Sequence, residues 1–227
     1  MNGTATAIYA HDRLGSIRPT TIYLVRHGES ELNRDKRISG QLDPPLSLEG
    51  VQESLALADQ LQGVRVTAIY TSALIRAVET ARPTADAQGL PIHTRGALNE
   101  LHLGILQGRH RDERDPEAQA LWEERKKDKI HYRVPGGETF AELAERVIGC
   151  LDEILAAEAG GTILIVGHRT TNRALFGALL NWPKEQWLSL NFRHKYLYEI
   201  TTGAQPQLAT IRLNGSHAGE RSAALKL

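Results

Sequence analysis

Three short apolar runs limit what this chain can fold into more than any other feature: "TIYLV" at 21–25, "VTAIY" at 66–70 and "TILIV" at 162–166. Each is too short for a core helix, rich in β-branched residues, and largely free of the alternation that marks a strand with one wet face. Such runs are strands covered on both sides. Between them the spacing becomes helical. Ser47 reads as the N-cap of a helix whose buried face carries Leu48, Val51, Leu55, Ala58 and Leu61. A second helix starts near Ser72 and is broken by Pro83, and "LPIHT" is a short third strand. "GGETFAELAERVIGCLDEIL" forms a long amphipathic helix, with Thr139 and Glu142 at capping-box spacing and Phe140, Leu143, Val147, Leu151 and Leu155 on one face. A helix at "TTNRALFGALL" follows the third run, and "KYLYEIT" and "LATIRL" close the chain as a hairpin. Alternating strands and helices predict an α/β fold with a mostly parallel sheet covered on both faces. The expected layout is one domain over 21–213, with a charged helical cap at 107–135, an N-terminal extension at 1–20 and a C-terminal tail at 214–227.

Ligands of open α/β sheets bind at the carboxyl ends of the strands. The first run passes into Arg26-His27-Gly28, the second into Thr71-Ser72 with Arg76 one turn further on, and the third into Gly167-His168. A single histidine after a strand is more often structural, and a single arginine in a first helical turn is more often solvated. Two of each, delivered by three strand ends to one edge of one sheet, describe a small anion pocket. Arginine forks match phosphate oxygens bidentately and helix N-termini offer free amides, so phosphate is the natural occupant. Chemistry also needs a nucleophile and a proton carrier. His27 can attack phosphorus if one ring nitrogen stays bare while the other donates to a fixed acceptor. The candidate carboxylate is Glu100 in "LNELHLGILQG", where Gly104 and Gly108 suggest a tight loop with backbone close to a ligand.

Bulk properties exclude several classes. Lys plus Arg and Asp plus Glu both total 27, so no overall field draws in nucleic acid or an anionic membrane. The stretch "ERKKDK" reads as a wet helix face. Cys150 is the only cysteine, which excludes an internal disulfide, and it sits at a helical core position. No run reaches the ~18 apolar residues of a membrane span, and the first 21 residues lack the apolar core of a signal peptide. A cytoplasmic address is the expectation. Spacing of His, Cys and carboxylates gives no metal site. The expected partner is a small phosphorylated metabolite, with neither nucleic acid nor membrane, and an open edge strand would allow a homodimer.

Six segments, "LVRHGESELN", "SGQLDPPLSLEG", "YTSALIRAVETA", "LNELHLGILQG", "PGGETFAEL" and "ILIVGHRTTNRAL", resemble in order and spacing the signatures of the histidine phosphatase superfamily, which includes phosphoglycerate mutases and many small phosphatases. The resemblance runs from about Thr21 to Leu180, with a weaker echo to Leu213. It implies a three-layer α/β/α sandwich and a reaction without metal or other cofactor. It implies that His27 is transiently phosphorylated, that Arg26, Arg76 and His168 bind the transferred group with help from Asn33, and that Glu100 serves the leaving group as proton donor and then water as base. Ser39 and Gly40, in the second segment, and Arg169, beside His168, are further candidates for phosphate or substrate binding.

Arg169 stands where the family often has glycine. The cofactor-dependent mutases usually show Arg-His-Tyr after the proton-donor glutamate and a longer insertion before "PGGE"; this chain has "ELHLG" and a shorter one. Both departures favour a phosphatase over a mutase, with an inactive phospho-ligand-binding relative as a third reading. Arg109, His110, Arg111, His131 and Arg133 of the cap are candidates for a second acidic group on the substrate, although each singly reads as a solvated charge. Tails of some family members fold back toward the pocket mouth, which makes His217 a further residue to place, although a role away from the pocket is the commoner reading.

Overall fold

The computed structural model describes residues 18–190, 192–213 and 221–222, the last pair by backbone alone. Seven strands form one sheet in the order β3-β2-β4-β1-β5-β6-β7. These are β1 (Thr21–Arg26), β2 (Ala68–Ser72), β3 (Ile92–Arg95), β4 (Thr162–Gly167), β5 (Tyr196–Thr201), β6 (Gln207–Arg212) and β7 (Arg221–Ser222). β1 to β4 are parallel to one another, β5 runs antiparallel to β1, and β5 and β6 pair as the expected hairpin. β7 lies within the stretch read as a tail and pairs with β6. Residues 1–17 and His217 lie outside the described residues.

The helices are α1 (Glu31–Arg34), α2 (Leu48–Leu61), α3 (Ile75–Gln88), α4 (Pro116–Lys127), α5 (Phe140–Ala157), α6 (Arg169–Leu179) and α7 (Lys184–Trp187). The pleat sends alternate side chains to opposite faces. Tyr23, Val25, Ile69, Leu164 and Val166 pack against α2 and α3, while Ile22, Leu24, Tyr70, Ile163 and Ile165 pack against α5 and α6. This two-sided burial gives three α/β/α layers. The five apolar residues expected along α5 are all buried, as is Cys150, and Thr139 and Glu142 close their capping box. Full burial of such side chains stabilises by about 1.5–3 kcal/mol each before entropy is counted. None of the described helices is long and apolar enough to cross a membrane.

Three local expectations need correction. Ser47 caps α2, accepting from the Gly50 amide at 3.2 Å, but the helix is rotated from the expected face. Gly50, Ser54, Leu57 and Leu61 are buried, whereas Leu48, Val51 and Leu55 are exposed. The reason is a backbone approach. A Cβ on Gly50 would sit 2.0 Å from the Glu29 carbonyl, and one on Gly28 would sit 2.6 Å from the Gly50 carbonyl. The chain after β1 thus lies directly on the first turn of α2, and only glycine fits on both sides. Second, α3 starts at Ile75 rather than near Ser72 and runs through Pro83 to a left-handed Gly89. Proline forfeits one helical hydrogen bond, at a cost of about 3 kcal/mol. The burial of Ala77, Ala81, Thr84 and Ala85 on both sides of Pro83 outweighs that cost. Third, Gly104 and Gly108 do adopt positive φ, but what comes close to Gly104 is the 135–137 backbone, not open ligand space.

Candidate active site

β1 and β4 are neighbours in the sheet, and the chain passes from β1 to β2 across β4, so a crevice opens beyond their carboxyl ends. His27 and His168 follow these two strands, and their ring centroids lie 4.9 Å apart. Arg76, in the first turn of α3, reaches the same place.

The His27 ring is 3% exposed. Its Nδ1 lies 2.6 Å from the Gly28 carbonyl, which can only accept, so Nδ1 carries the proton. Burial first, then the charges of His168, Arg76, Arg26 and His194, hold the ring well below the usual histidine pKa. It is neutral, and Nε2 is a bare lone pair. Arg76 donates Nε–H to that nitrogen at 3.4 Å and its terminal nitrogens to the Leu42 and Gly40 carbonyls at 2.7 and 2.8 Å. One buried guanidinium therefore ties the 40–42 loop to the imidazole. Burial lowers the pKa of Arg76 and of Arg26 to about 10, with Glu100 opposing the shift in each, so both stay charged at neutral pH.

His168 is fully buried. Its Nε2 pairs with Ser72 Oγ at 2.7 Å, and Nδ1 has no protein partner. Ser72 Oγ also accepts from the Leu74 amide, so one hydroxyl ties His168 to the start of the loop after β2. Burial, then Arg76 and Arg26, hold this ring also well below the ordinary range. His168 is thus neutral in the free protein. Asn172 of α6 donates to the Val25 carbonyl at 3.0 Å and so locks the helix to the end of β1.

Glu100 is held by two backbone amides, Leu101 N to Oε1 at 2.8 Å and Thr170 N to Oε2 at 3.1 Å. The second belongs to the first turn of α6, where a helix stabilises negative charge. Asn33 accepts from Ser30 N through Oδ1 and turns Nδ2 toward Ser39 Oγ, 3.5 Å away. Arg26 reaches the Phe192 carbonyl with Nη1, and its Nε is buried without a partner, as is Nε of Arg169. Arg26, His27, Asn33, Ser39, Gly40, Arg76, Glu100 and Arg169 line one cavity of about 750 Å³, with His168 behind its wall.

Of the five cap residues named for a second acidic group, only Arg111 lines this cavity. Arg109 pairs with Asp115 and Glu117, and Arg133 with Glu142, as surface ion pairs; His131 lies beside Asp128, and His110 is not in the lining. Sequence reasoning missed His194, whose Nδ1 donates to the His27 carbonyl at 2.6 Å and whose ring centroid is 5.6 Å from that of His27. Burial and then Arg26 lower its pKa to about 3. A signal existed: placing the hairpin antiparallel beside β1, as in the Val25–Leu197 pairing, puts the residues before β5 next to those after β1. Arg125 and Arg173, also missed, line the cavity from α4 and α6.

Residues 22–212 match the family model for the histidine phosphatase superfamily, branch 1. "Probable phosphoglycerate mutase GpmB" of Yersinia pestis (strain Pestoides F) is 34% identical over 189 residues, covering 83% of this chain and 88% of that protein. The crystal structure of an alpha-ribazole phosphatase from Shigella flexneri superposes with a TM-score of 0.76 at 27% identity, covering 87% of this chain and 97% of that one. A mycobacterial glucosyl-3-phosphoglycerate phosphatase gives 0.70 at 27%, covering 84% and 97%. This chain belongs to branch 1 of the histidine phosphatase superfamily.

Proposed function

We propose that this protein is a phosphomonoesterase that hydrolyses a small phosphorylated metabolite through a phosphoryl group carried on His27 Nε2. The observation that supports this most directly is the state of that ring. Its proton is held on Nδ1 by the Gly28 carbonyl, and its bare Nε2 faces Arg76. Phosphoryl transfer asks the protein chiefly for position and charge. Arg26 and Arg76 supply positive charge for the phosphoryl oxygens, and His168 adds a ring nitrogen, Nδ1, that has no protein partner. In the first half-reaction Nε2 attacks phosphorus in line with the ester oxygen, the phosphorus–oxygen bond breaks, and Glu100 gives that oxygen a proton. In the second, water attacks phosphorus and yields a proton to Glu100, the phosphorus–nitrogen bond breaks, and inorganic phosphate leaves. The guanidinium groups make a metal ion unnecessary in this scheme.

The mutase reading rests on the name carried by the Yersinia relative. Against it, this chain lacks the Arg-His-Tyr run after Glu100, and the superposed alpha-ribazole and glucosyl-3-phosphoglycerate structures carry phosphatase names. Full-length protein with a chelator and a panel of phosphate esters separates the readings. Release of inorganic phosphate supports the phosphatase, whereas interconversion of 2- and 3-phosphoglycerate without release supports the mutase. Absence of an acid-labile, base-stable label on His27 would remove both and leave a binding protein.

A further inference from the structure

Lys and Arg outnumber carboxylates in the cavity lining by ten to four, and those carboxylates are already engaged. Asp112 is held by Arg114, Glu123 by Lys126, Glu29 by the Ser47 hydroxyl, and Glu100 by two backbone amides. Arg111, Arg125, Arg169 and Arg173 have no carboxylate partner among the described residues. Three of them are nevertheless held in place. The guanidinium carbons of Arg111 and Arg125 each lie 5.4 Å from the centre of the Trp122 ring, a cation–π arrangement that fixes planar cations on the inner side of α4. Arg173, one helical turn beyond Arg169, is pinned by Nε to the Leu190 carbonyl at 2.6 Å. The two sets meet across the cavity. Arg169 is held below the usual arginine pKa by burial and then by Arg111, and Arg173 is lowered to about 10 by burial and then by Arg169, with Arg125 contributing. Fixed, partly buried like charges raise the free energy of the empty protein; Glu100 offsets only part of this at Arg125, Arg169 and Arg173, and an anion placed among them relieves the rest.

Resting on the phosphatase reading of the inner pocket, we propose that Arg111, Arg125 and Arg173 form a second anion site at the outer end of the cavity, and that the substrate is a phosphate monoester bearing a second anionic group remote from the ester. Arg169 lies between the two sites and serves either end of such a molecule. The choice of arginine fits an oxyanion that can accept two parallel hydrogen bonds, a carboxylate or a second phosphate, better than a sulfur or halide anion.

The test uses a series of ω-carboxyalkyl phosphates of increasing chain length, each matched to the ω-hydroxyalkyl phosphate of the same length, with an alkanediol bisphosphate as a third arm. Full-length protein should prefer the anionic member at one length, by about 10- to 100-fold in kcat/KM, the range of one or two charge-assisted contacts. That preference should fall toward unity in Arg111→Gln and in Arg125→Gln, mainly through KM. The carboxylate and bisphosphate arms show which anion is preferred. A ratio near one at every length, or a ratio unchanged in both variants, overturns the proposal. If no ester in the series is turned over, the phosphatase reading fails by itself. Calorimetric binding of the same matched pairs then decides the second site, tighter binding of the anionic members supporting it and equal binding removing it.

Discussion

Nε of Arg76 donates to Nε2 of His27 across 3.4 Å, while the two terminal nitrogens of the same guanidinium hold the Gly40 and Leu42 carbonyls. The cation that donates to the imidazole thus also shapes the loop over it. Arg76→Lys keeps a positive charge but has neither the fork nor the three-way reach. It should lower kcat/KM by at least about 100-fold and lower Tm measurably. A variant with wild-type kinetics would separate Arg76 from the reaction.

His27→Ala should abolish turnover, by about 10⁴-fold or more as expected for a nucleophile. It should still bind inorganic phosphate, because Arg26, Arg76 and His168 remain. Calorimetry with phosphate, alongside a discontinuous assay of phosphate release, checks both halves.

Glu100→Gln keeps the side-chain shape but replaces one of the two acceptors for the Leu101 and Thr170 amides with an NH₂ group. Loss of a positioned acid should cost about 10²–10⁴ in rate for alkyl phosphates and far less for p-nitrophenyl phosphate, whose leaving group departs without a proton. Equal losses for the two substrates would take Glu100 out of the acid role.

His194 is neutral when folded, with its pKa lowered to about 3 chiefly by burial. An unfolded chain takes up a proton on this residue near pH 6.5, so over the window from about 6.5 down to about 3 the unfolded state binds more protons and stability falls with pH. The slope from one such group is about 1.4 kcal/mol per pH unit. His194→Gln should therefore lose stability less steeply than wild type between pH 6.5 and 4.5, measured by urea denaturation. Parallel slopes would contradict the assignment.

The orientation of α2 is tested by two alanine substitutions. Leu57 is fully buried and should cost about 2–5 kcal/mol when cut to alanine. Leu55, which is exposed, should change stability by no more than about 0.5 kcal/mol. The reverse order would restore the face read from apolar spacing alone.

The sequence by itself determined the strand runs, the long α5 with its capping box, and the place where Arg26, His27, Arg76 and His168 would gather. Apolar runs and helical periods are local signals, and a parallel sheet delivers its strand ends to one edge whatever the details of packing. Only the tertiary structure decided the buried face of α2, because it depends on Gly28 and Gly50 letting two backbones touch. It alone carried α3 through Pro83, where burial on both sides outweighs a missing hydrogen bond. His194 became visible only once β5 lay beside β1. Arg111 and Arg125 read as solvated charges along the chain, like Arg109 and Arg133. What separates them is whether the fold gives a cation a carboxylate partner or leaves it facing a cavity, and that depends on neighbours distant in sequence.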